Sequence, residues 1–304
     1  MPNTRLRAVV EVSPQANPEL LPMGDREAVL RRRLQVLRSL QHAYSVGVRV
    51  RPAEPERLAL AAGASARWVR EAFAPGLVER QPFLVVPGRI EAQLRSRTVA
   101  LLGRLNTNGL LARRLGPKRV GALLGDMWGR DFLLGLDRAC VRIGGRARLY
   151  RSWVIRELPR IIHLGWLAPL TGEEIAADVV LHVRVRKPGP TARTLQRRVR
   201  QWRAVAQGDT DYGVALHDAE RCLAAMRRNV DGVVEAGLYV TAPLEQAPLV
   251  ENALDGVLVD YHAADYAHDL ARRSTLPIGA DDLRERMPLD LTSVAATDVF
   301  ATAG

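Results

Sequence analysis

The chain has 304 residues, of which 47% are hydrophobic and 25% charged, and its formal net charge is +11. This length suggests about two domains, and the apolar content allows each of them to bury a core. We expect no membrane-spanning helix, because no apolar run reaches about 18 residues, and no signal peptide, because no apolar stretch follows Met1. Only two cysteines occur, so we expect no disulfide framework and a reducing, cytoplasmic setting.

The first 88 residues predict the order β-α-β-α-β. Alternating apolar residues predict strands over 6–12 and 46–51, and a short apolar run before Pro87 predicts a third over 83–86. Apolar residues at helical spacing predict a helix over 26–44, and a second helix is expected over 57–73. We therefore expect a first β/α block over residues 1–88.

A helical connector is predicted over residues 89–145. Two turns interrupt it, at residues 106–109 and at Gly116-Pro117. The glycine-rich stretch over 129–145 marks the boundary to the next block.

A second β/α block is predicted over residues 146–280, with strands over 149–155, 177–185, 232–241 and 256–260, and helices over 157–170, 191–203, 212–228 and 244–254. The strand over 177–185 is almost continuously apolar, so we expect it to be central in its sheet. Little apolar periodicity follows Asp281, which predicts an extended tail over 281–304. The expected fold class is α+β, with two β/α blocks, each a small mixed sheet covered by helices, joined by a helical segment.

The predicted helix over 191–203 is the most basic element of the chain. Leu195, Val199 and Trp202 form an apolar stripe on it, and arginines fill the other faces. Up to Arg203 the chain carries 37 basic and 16 acidic residues, whereas the remainder carries 7 and 17. The arginines are candidate contacts for an anionic partner, although a solvated helix face would have the same pattern. They are Arg193, Arg197, Arg198, Arg200 and Arg203.

No catalytic, cofactor or metal site is predicted. The segment from Gly116 to Gly121 has the glycine spacing of a phosphate-binding P-loop, but the required lysine and hydroxyl residue are missing after it. Zinc-binding and nucleophile-elbow patterns are also missing. One cluster could hold a metal, although turn and capping roles explain it better: Asp260, His262, Asp265, His268 and Asp269. We therefore predict a protein that is not an enzyme; a site assembled from residues far apart in sequence is the alternative.

A more specific pattern begins at Arg148. A strand leads into a proline, a Gly-Trp-Leu turn follows, and then come an apolar strand, a proline-containing turn and the basic helix. This order resembles the N-terminal, non-motor region of type IV secretion and conjugative transfer ATPases of the TraC/TrbE/CagE kind. Scattered positions over nearly the whole chain fit the resemblance. The family-like positions are Tyr150, Pro159, Gly165, Trp166, Leu167 and Asp178.

The resemblance implies a docking and assembly role. In that family an ATPase domain with a P-loop follows, whereas no P-loop occurs up to Gly304, so ATP hydrolysis is not expected. The implied partners are a P-loop secretion ATPase domain or homologous subunit and inner-membrane secretion components, with anionic lipid as a further candidate. The implied location is cytoplasmic, peripheral at the inner face of the cell membrane, in an oligomeric machine. The alternative function is a DNA-binding accessory protein of a mobile element that uses the arginine-rich helix.

Overall fold

The computed structural model consists of one extended sheet with helices on both faces. It describes residues 6–13, 22–40, 42–52, 78–124, 140–143, 148–159, 162–171, 175–205, 210–227 and 232–297. The predicted helix over 57–73 and much of the predicted boundary over 129–145 lie outside these ranges.

The first half has strands in the three ranges where the apolar pattern predicts them. The described elements are β1 (Leu6–Val12), α1 (Met23–Arg38), β2 (Tyr44–Pro52), β3 (Val78–Gly88), α2 (Glu91–Thr107), β4 (Ala112–Arg114) and α3 (Pro117–Leu124).

The second half contains shorter elements and one long pair of helices. Its described elements are β5 (Val141–Ile143), β6 (Arg148–Glu157), α4 (Ala168–Thr171), β7 (Asp178–Val185), α5 (Pro188–Val205), α6 (Thr210–Arg227), β8 (Val233–Pro243), α7 (Ala247–Gly256), β9 (Asp260–Ala263), α8 (His268–Ser274), β10 (Met287–Asp290) and α9 (Leu291–Ala296).

Ten described strands form a single sheet in the order β4-β1-β3-β2-β7-β8-β6-β5, with β9 paired to β6 and β10 paired to β8. All described pairs are antiparallel. The strand β7 is central, between β2 and β8, as its continuous apolar sequence predicts.

The same strand order occurs in both halves of the sheet. In the first half the order is β4-β1-β3-β2, and in the second half it is β9-β6-β8-β7. In each half the third strand lies antiparallel between the first two, which are therefore parallel to each other. This split β-α-β arrangement, closed by a fourth strand beside the first, is the ferredoxin-like order. The chain thus contains two units of one topology.

The two units share the sheet through β2 and β7, which pair from Tyr44 opposite Val183 to Arg49 opposite Asp178. The α+β class is confirmed, but the expectation of a separate small mixed sheet in each block is wrong. Residues 46–50 of β2 and 178–183 of β7 are buried, so neither strand can be an edge exposed to water. Sequence periodicity indicates that a strand exists but does not identify its partner.

Two hydrophobic layers cover the sheet. The first face packs against α1, α2, α4, α7 and α9 and contains the largest core, including Val48, Val179 and Leu238. The second face packs against α3 and α8; here Phe83 and Val180 contact the α3 side, and Tyr239 packs with Ala271 of α8. Alternate residues of β2 and β7 therefore point into two different cores.

Three local expectations for the second half need correction. Instead of a helix over 157–170, the described chain has a turn at 164–167 and the short α4. Instead of a strand over 256–260, α7 ends at Gly256 and β9 begins at Asp260. The residues beyond Asp281 are not simply extended, because β10 pairs with β8 and α9 packs against α1. Short apolar runs cannot distinguish a helix end, a turn and a strand by periodicity alone.

Candidate functional site

The basic helix predicted from the sequence is α5, and it forms a hairpin with α6. Among the described elements, neither helix packs extensively on anything except the other. The predicted apolar stripe lies on the inner side, where Val199 is 4% exposed and Leu195 and Trp202 are half-buried. The hairpin therefore extends from the ends of β7 and β8 with its polar faces open to solvent.

All five predicted arginines of α5 are exposed. Arg193, Arg197 and Arg200 follow one another at spacings of four and three residues, so they lie on one face of the helix; we call them the arginine ridge. Arg203 instead donates through Nε to Glu220 Oε1 of α6 at 2.8 Å. Arg198 lies toward the opposite edge of the exposed surface. The structure thus groups three of the five candidate contacts and assigns Arg203 to the hairpin itself.

A second polar cluster lies buried on the second face of the sheet. Arg49 of β2 is opposite Asp178 of β7, Asp178 is opposite Thr241 of β8, and Thr241 is opposite Ser152 of β6. These four buried residues form a continuous row across four strands, which we call the buried polar row. Such a row is stable only where its groups are paired, since an unpaired buried charge is costly.

Asp178 is the centre of this row. Its Oδ1 accepts from Nε of Arg49 at 3.0 Å, and both carboxylate oxygens accept from Nη2 of Arg51 at 2.8 Å. Arg272 of α8 donates to Oδ2 from the other side and stacks on the ring of Tyr150, with its guanidinium carbon 4.8 Å from the ring centroid. One carboxylate therefore ties β2, β7 and α8 together.

The charges around Asp178 favour the ionised form of its carboxyl group. Burial alone would raise the pKa of its carboxyl, but the guanidinium groups of Arg49, Arg51 and Arg272 outweigh burial and hold the pKa far below its usual value. The carboxylate stays ionised at any physiological pH, whereas a general acid or base needs a pKa near the working pH. The arrangement acts as an ionic clamp.

His182 makes a second link between the sheet and α8. Its Nε2 lies 2.7 Å from the carbonyl oxygen of Ser274, which can only accept, so Nε2 carries the proton. Its Nδ1 then accepts from the hydroxyl of Ser45, at 2.7 Å on the neighbouring strand β2. Burial lowers the pKa of His182, so the imidazole is held neutral.

The chain after α8 is held to the same face. The hydroxyl of Tyr239 donates to Oδ1 of Asp281 at 2.6 Å, and Arg286 donates to the other carboxylate oxygen. Burial and this hydrogen bond raise the pKa of Tyr239 well above its ordinary value. The phenol therefore stays protonated and anchors residues 281–286 on the sheet.

The family-like positions do not converge on one site. Tyr150 and Asp178 both contact Arg272 on the second face. Trp166 and Leu167 are buried in the core of the first face, after Gly165, whose φ of +92° favours glycine. Pro159 lies half-buried just after β6. These positions shape the fold on both sides of the sheet.

The acidic and histidine cluster near β9 is dispersed. His268 Nδ1 accepts from the backbone N–H of Ser152 at 3.1 Å, His262 pairs with Glu285 at 3.6 Å, and Asp269 pairs with Arg273 at 2.7 Å. Within the described ranges, no three His, Cys, Asp or Glu side chains are grouped so that they could hold a metal ion.

Sequence reasoning missed the partners of Asp178. Arg49 and Arg51 alternate with Val48 and Val50 in an otherwise apolar strand, and arginines at alternate positions of a buried strand indicate that one face meets a buried acid. That signal was present in the sequence. Arg272 was not predictable, because it lies 94 residues beyond Asp178 on a short helix.

The sequence matches no known protein-family model, and no curated protein is significantly similar to it. The resemblance to the N-terminal region of conjugative ATPases therefore rests on the order of motifs in the sequence and stays a prediction. Across the described part of the chain, no helix combines the length and apolar content that crossing a bilayer requires.

Proposed function

We propose that this chain is a non-catalytic docking and assembly module of a conjugative type IV secretion apparatus, lying at the cytoplasmic face of the cell membrane. It would correspond to the non-motor part of the secretion ATPase. Its main partner would be the P-loop ATPase domain or a homologous subunit, and inner-membrane components of the machine would complete the assembly.

One observation carries the proposal: the central buried charges serve to hold the fold together. Asp178 is clamped by three guanidinium groups, and His182 and Tyr239 are held by hydrogen bonds to the chain in and after α8. Catalytic proton transfer needs a pKa near the working pH, whereas the pKa of Asp178 is held far below its usual value by three guanidinium groups and that of Tyr239 is raised far above its usual value by burial.

Co-purification tests this proposal. The tagged chain is co-expressed with the protein encoded next downstream, which the proposal expects to contain a P-loop, and purified at moderate salt, with and without ATP. We expect a stable complex on size exclusion, and no retention of a P-loop protein from an unrelated pathway. Absence of a complex in both nucleotide states would contradict the docking role.

ATP turnover gives an independent check. We expect the purified chain alone to hydrolyse ATP only at the background rate, because no P-loop occurs in the sequence. Turnover that disappears on a single substitution in this chain would show that it is an enzyme.

A further inference from the structure

The α5–α6 hairpin carries a concentrated positive charge. Its described charged side chains are seven arginines and two acids: Arg193, Arg197, Arg198, Arg200, Arg203, Arg221, Arg227, Asp218 and Glu220. Both acids are paired within the hairpin, Glu220 with Arg203 and Asp218 with Arg221. The other five arginines form no ion pair with any described residue, so their charge faces solvent.

The arginine ridge has dimensions that suit a nucleic-acid groove. Arg193 to Arg200 spans roughly 10 Å along the helix, and a helix with its side chains is about 10–12 Å across. The major groove of B-form DNA is about 12 Å wide and admits one helix. Guanidinium forks also match the geometry of phosphate oxygens, which border that groove on both sides.

Other partners fit this surface less well. None of the exposed large hydrophobic side chains in the described chain lies on the hairpin. Protein interfaces have an apolar and aromatic centre, and membrane-surface helices bury an apolar face in lipid, whereas the apolar stripe of α5 already lies on the inner side of the hairpin.

Duplex DNA also fits better than other nucleic acids. Trp202, the only aromatic residue of α5, is half-buried, so this helix offers no exposed ring on which single-stranded bases could stack. The major groove of A-form RNA is deep and narrow, so it does not admit a helix between its two rows of phosphates as the groove of B-form DNA does. The helix α5 contains no acidic residue that would repel phosphates beside the ridge.

We propose that the α5–α6 hairpin binds the phosphate backbone of double-stranded DNA, without sequence preference, through Arg193, Arg197 and Arg200. Binding is electrostatic and depends on salt, because each contacted phosphate releases condensed counterions. This inference rests on the hairpin and not on the docking role, so either can fail without the other.

The test uses the full chain and a labelled 30-base-pair duplex of arbitrary sequence, with anisotropy measured from 0.05 to 0.2 M salt. The variant replaces Arg193, Arg197 and Arg200 together by Gln. We expect an affinity loss of roughly 100-fold at 0.1 M salt, and a plot of log affinity against log salt that is less steep by about 2.7, from three lost phosphate contacts. Melting temperature should not change, since all three side chains are exposed.

A matched control separates the ridge from total charge. Replacing Arg89, Arg95 and Arg114 by Gln removes the same charge from exposed positions elsewhere, and this variant should bind DNA nearly as the parent does. Equal losses in the two triple variants would overturn the proposal, as would no binding by the parent at 0.05 M salt. Preference for single strands, or binding to phosphatidylserine vesicles without binding to DNA, would also overturn it. If the triple variant unfolds, Arg197→Gln alone is expected to lower the slope by about 0.9.

Discussion

Asp178 shows how a single buried side chain can hold several elements in place. Three guanidinium groups approach its carboxylate from β2 and α8, on the second face of the sheet. The charges are costly to bury, but once buried each one depends on the others. Removing the carboxylate of Asp178 should therefore lower the free energy of unfolding far more than removing an exposed carboxylate.

The variant Asp178→Asn tests this clamp. We expect it to lower the free energy of unfolding by roughly 3–5 kcal/mol, because buried guanidinium groups then lose their counter-charge. Urea denaturation measures the change, and Asp260→Asn, at an exposed position, is the matched control with little expected effect. A loss for Asp178→Asn no larger than that of the control would show that the clamp is not stabilising.

His182 should make stability depend on pH. Burial lowers its pKa in the folded chain below the ordinary 6.5, so the unfolded chain binds the proton first. Its contribution is fully present above about pH 6.5 and is lost as pH falls toward the folded pKa, with a slope of at most about 1.4 kcal/mol per pH unit.

The comparison of His182→Gln with the parent measures this effect between pH 7 and pH 5. The variant should be less stable at pH 7 but should lose less stability on acidification, whereas His217→Gln, on the exposed side of α6, should follow the parent. A parent and variant with parallel pH profiles would contradict a neutral, buried His182.

For single residues, the sequence predicted exposure correctly where the type of side chain and its place on a helix determine that exposure. The exposure of the arginines of α5 follows from helical periodicity and charge. The burial of Asp178 could not be inferred in the same way, because it depends on Arg49 across the sheet and Arg272 from a distant helix. Tertiary partners, not local sequence, determine whether an acid can be buried.

At the scale of elements, the β2–β7 pair is closely packed around Gly47. A Cβ atom there would lie 2.5 Å from Cζ of Phe83 and 2.8 Å from Cγ2 of Val180. We expect Gly47→Ala to destabilise the protein by about 1–3 kcal/mol through overpacking, as measured by thermal and urea unfolding.

Gly103→Ala is the matched control for Gly47→Ala. Gly103 lies inside α2, where nothing is within 4 Å of an added Cβ, so alanine should stabilise the helix by up to about 1 kcal/mol. The two alanine substitutions should therefore have opposite signs. If both substitutions change the free energy of unfolding with the same sign, the lack of space around Gly47 does not determine the effect of Gly47→Ala.

The turn before α4 depends on Trp166. Its ring is 2% exposed, and its Nε1 has no hydrogen-bond partner among the described residues. Trp166→Ala should cost roughly 3–5 kcal/mol through lost packing. Trp166→Phe should cost much less, since it keeps most of the apolar volume and removes a buried donor that is unsatisfied. Equal losses of unfolding free energy for the two variants, measured by urea denaturation, would show that the indole N–H contributes to stability.

Long elements were predictable and short ones were not. The helices α5 and α6 have 18 residues each, and their apolar periodicity located them within a few residues. The residues before α4 and between α7 and β9 contain apolar runs that predict a helix and a strand, but Gly165 and Leu258 adopt positive φ and turn the chain instead. Such turns depend on packing around single residues.

At the scale of the whole molecule, the chain consists of two units of one topology in one sheet. In the second unit the α5–α6 hairpin lies between β7 and β8, and these two strands are further apart in the sequence than β2 and β3 are. Unequal spacing of corresponding strands obscures a repeat in the sequence. The repeat therefore becomes visible only from strand pairing.

Expressing the two halves of the chain separately should expose an unpaired edge strand that is prone to aggregation. Residues 146–304 expressed alone would present β7, which is buried on both faces, as an edge strand, and would leave α9 without α1. We expect each half alone to aggregate or self-associate, and the two co-expressed halves (1–145 and 146–304) to elute together on size exclusion. A monomeric, cooperatively melting 146–304 would show that the second unit folds independently.

The shared ladder between β2 and β7 also has a mechanical consequence. Force applied to the base of the hairpin enters the sheet at β7 and passes to β2 through backbone hydrogen bonds over six paired residues. A pull directed along the strands loads these bonds together in shear, whereas a pull across them would open the bonds one after another. The two units should therefore transmit force along the strands as one rigid body. The ion pairs of Asp178 strengthen the β2–β7 pairing at one end.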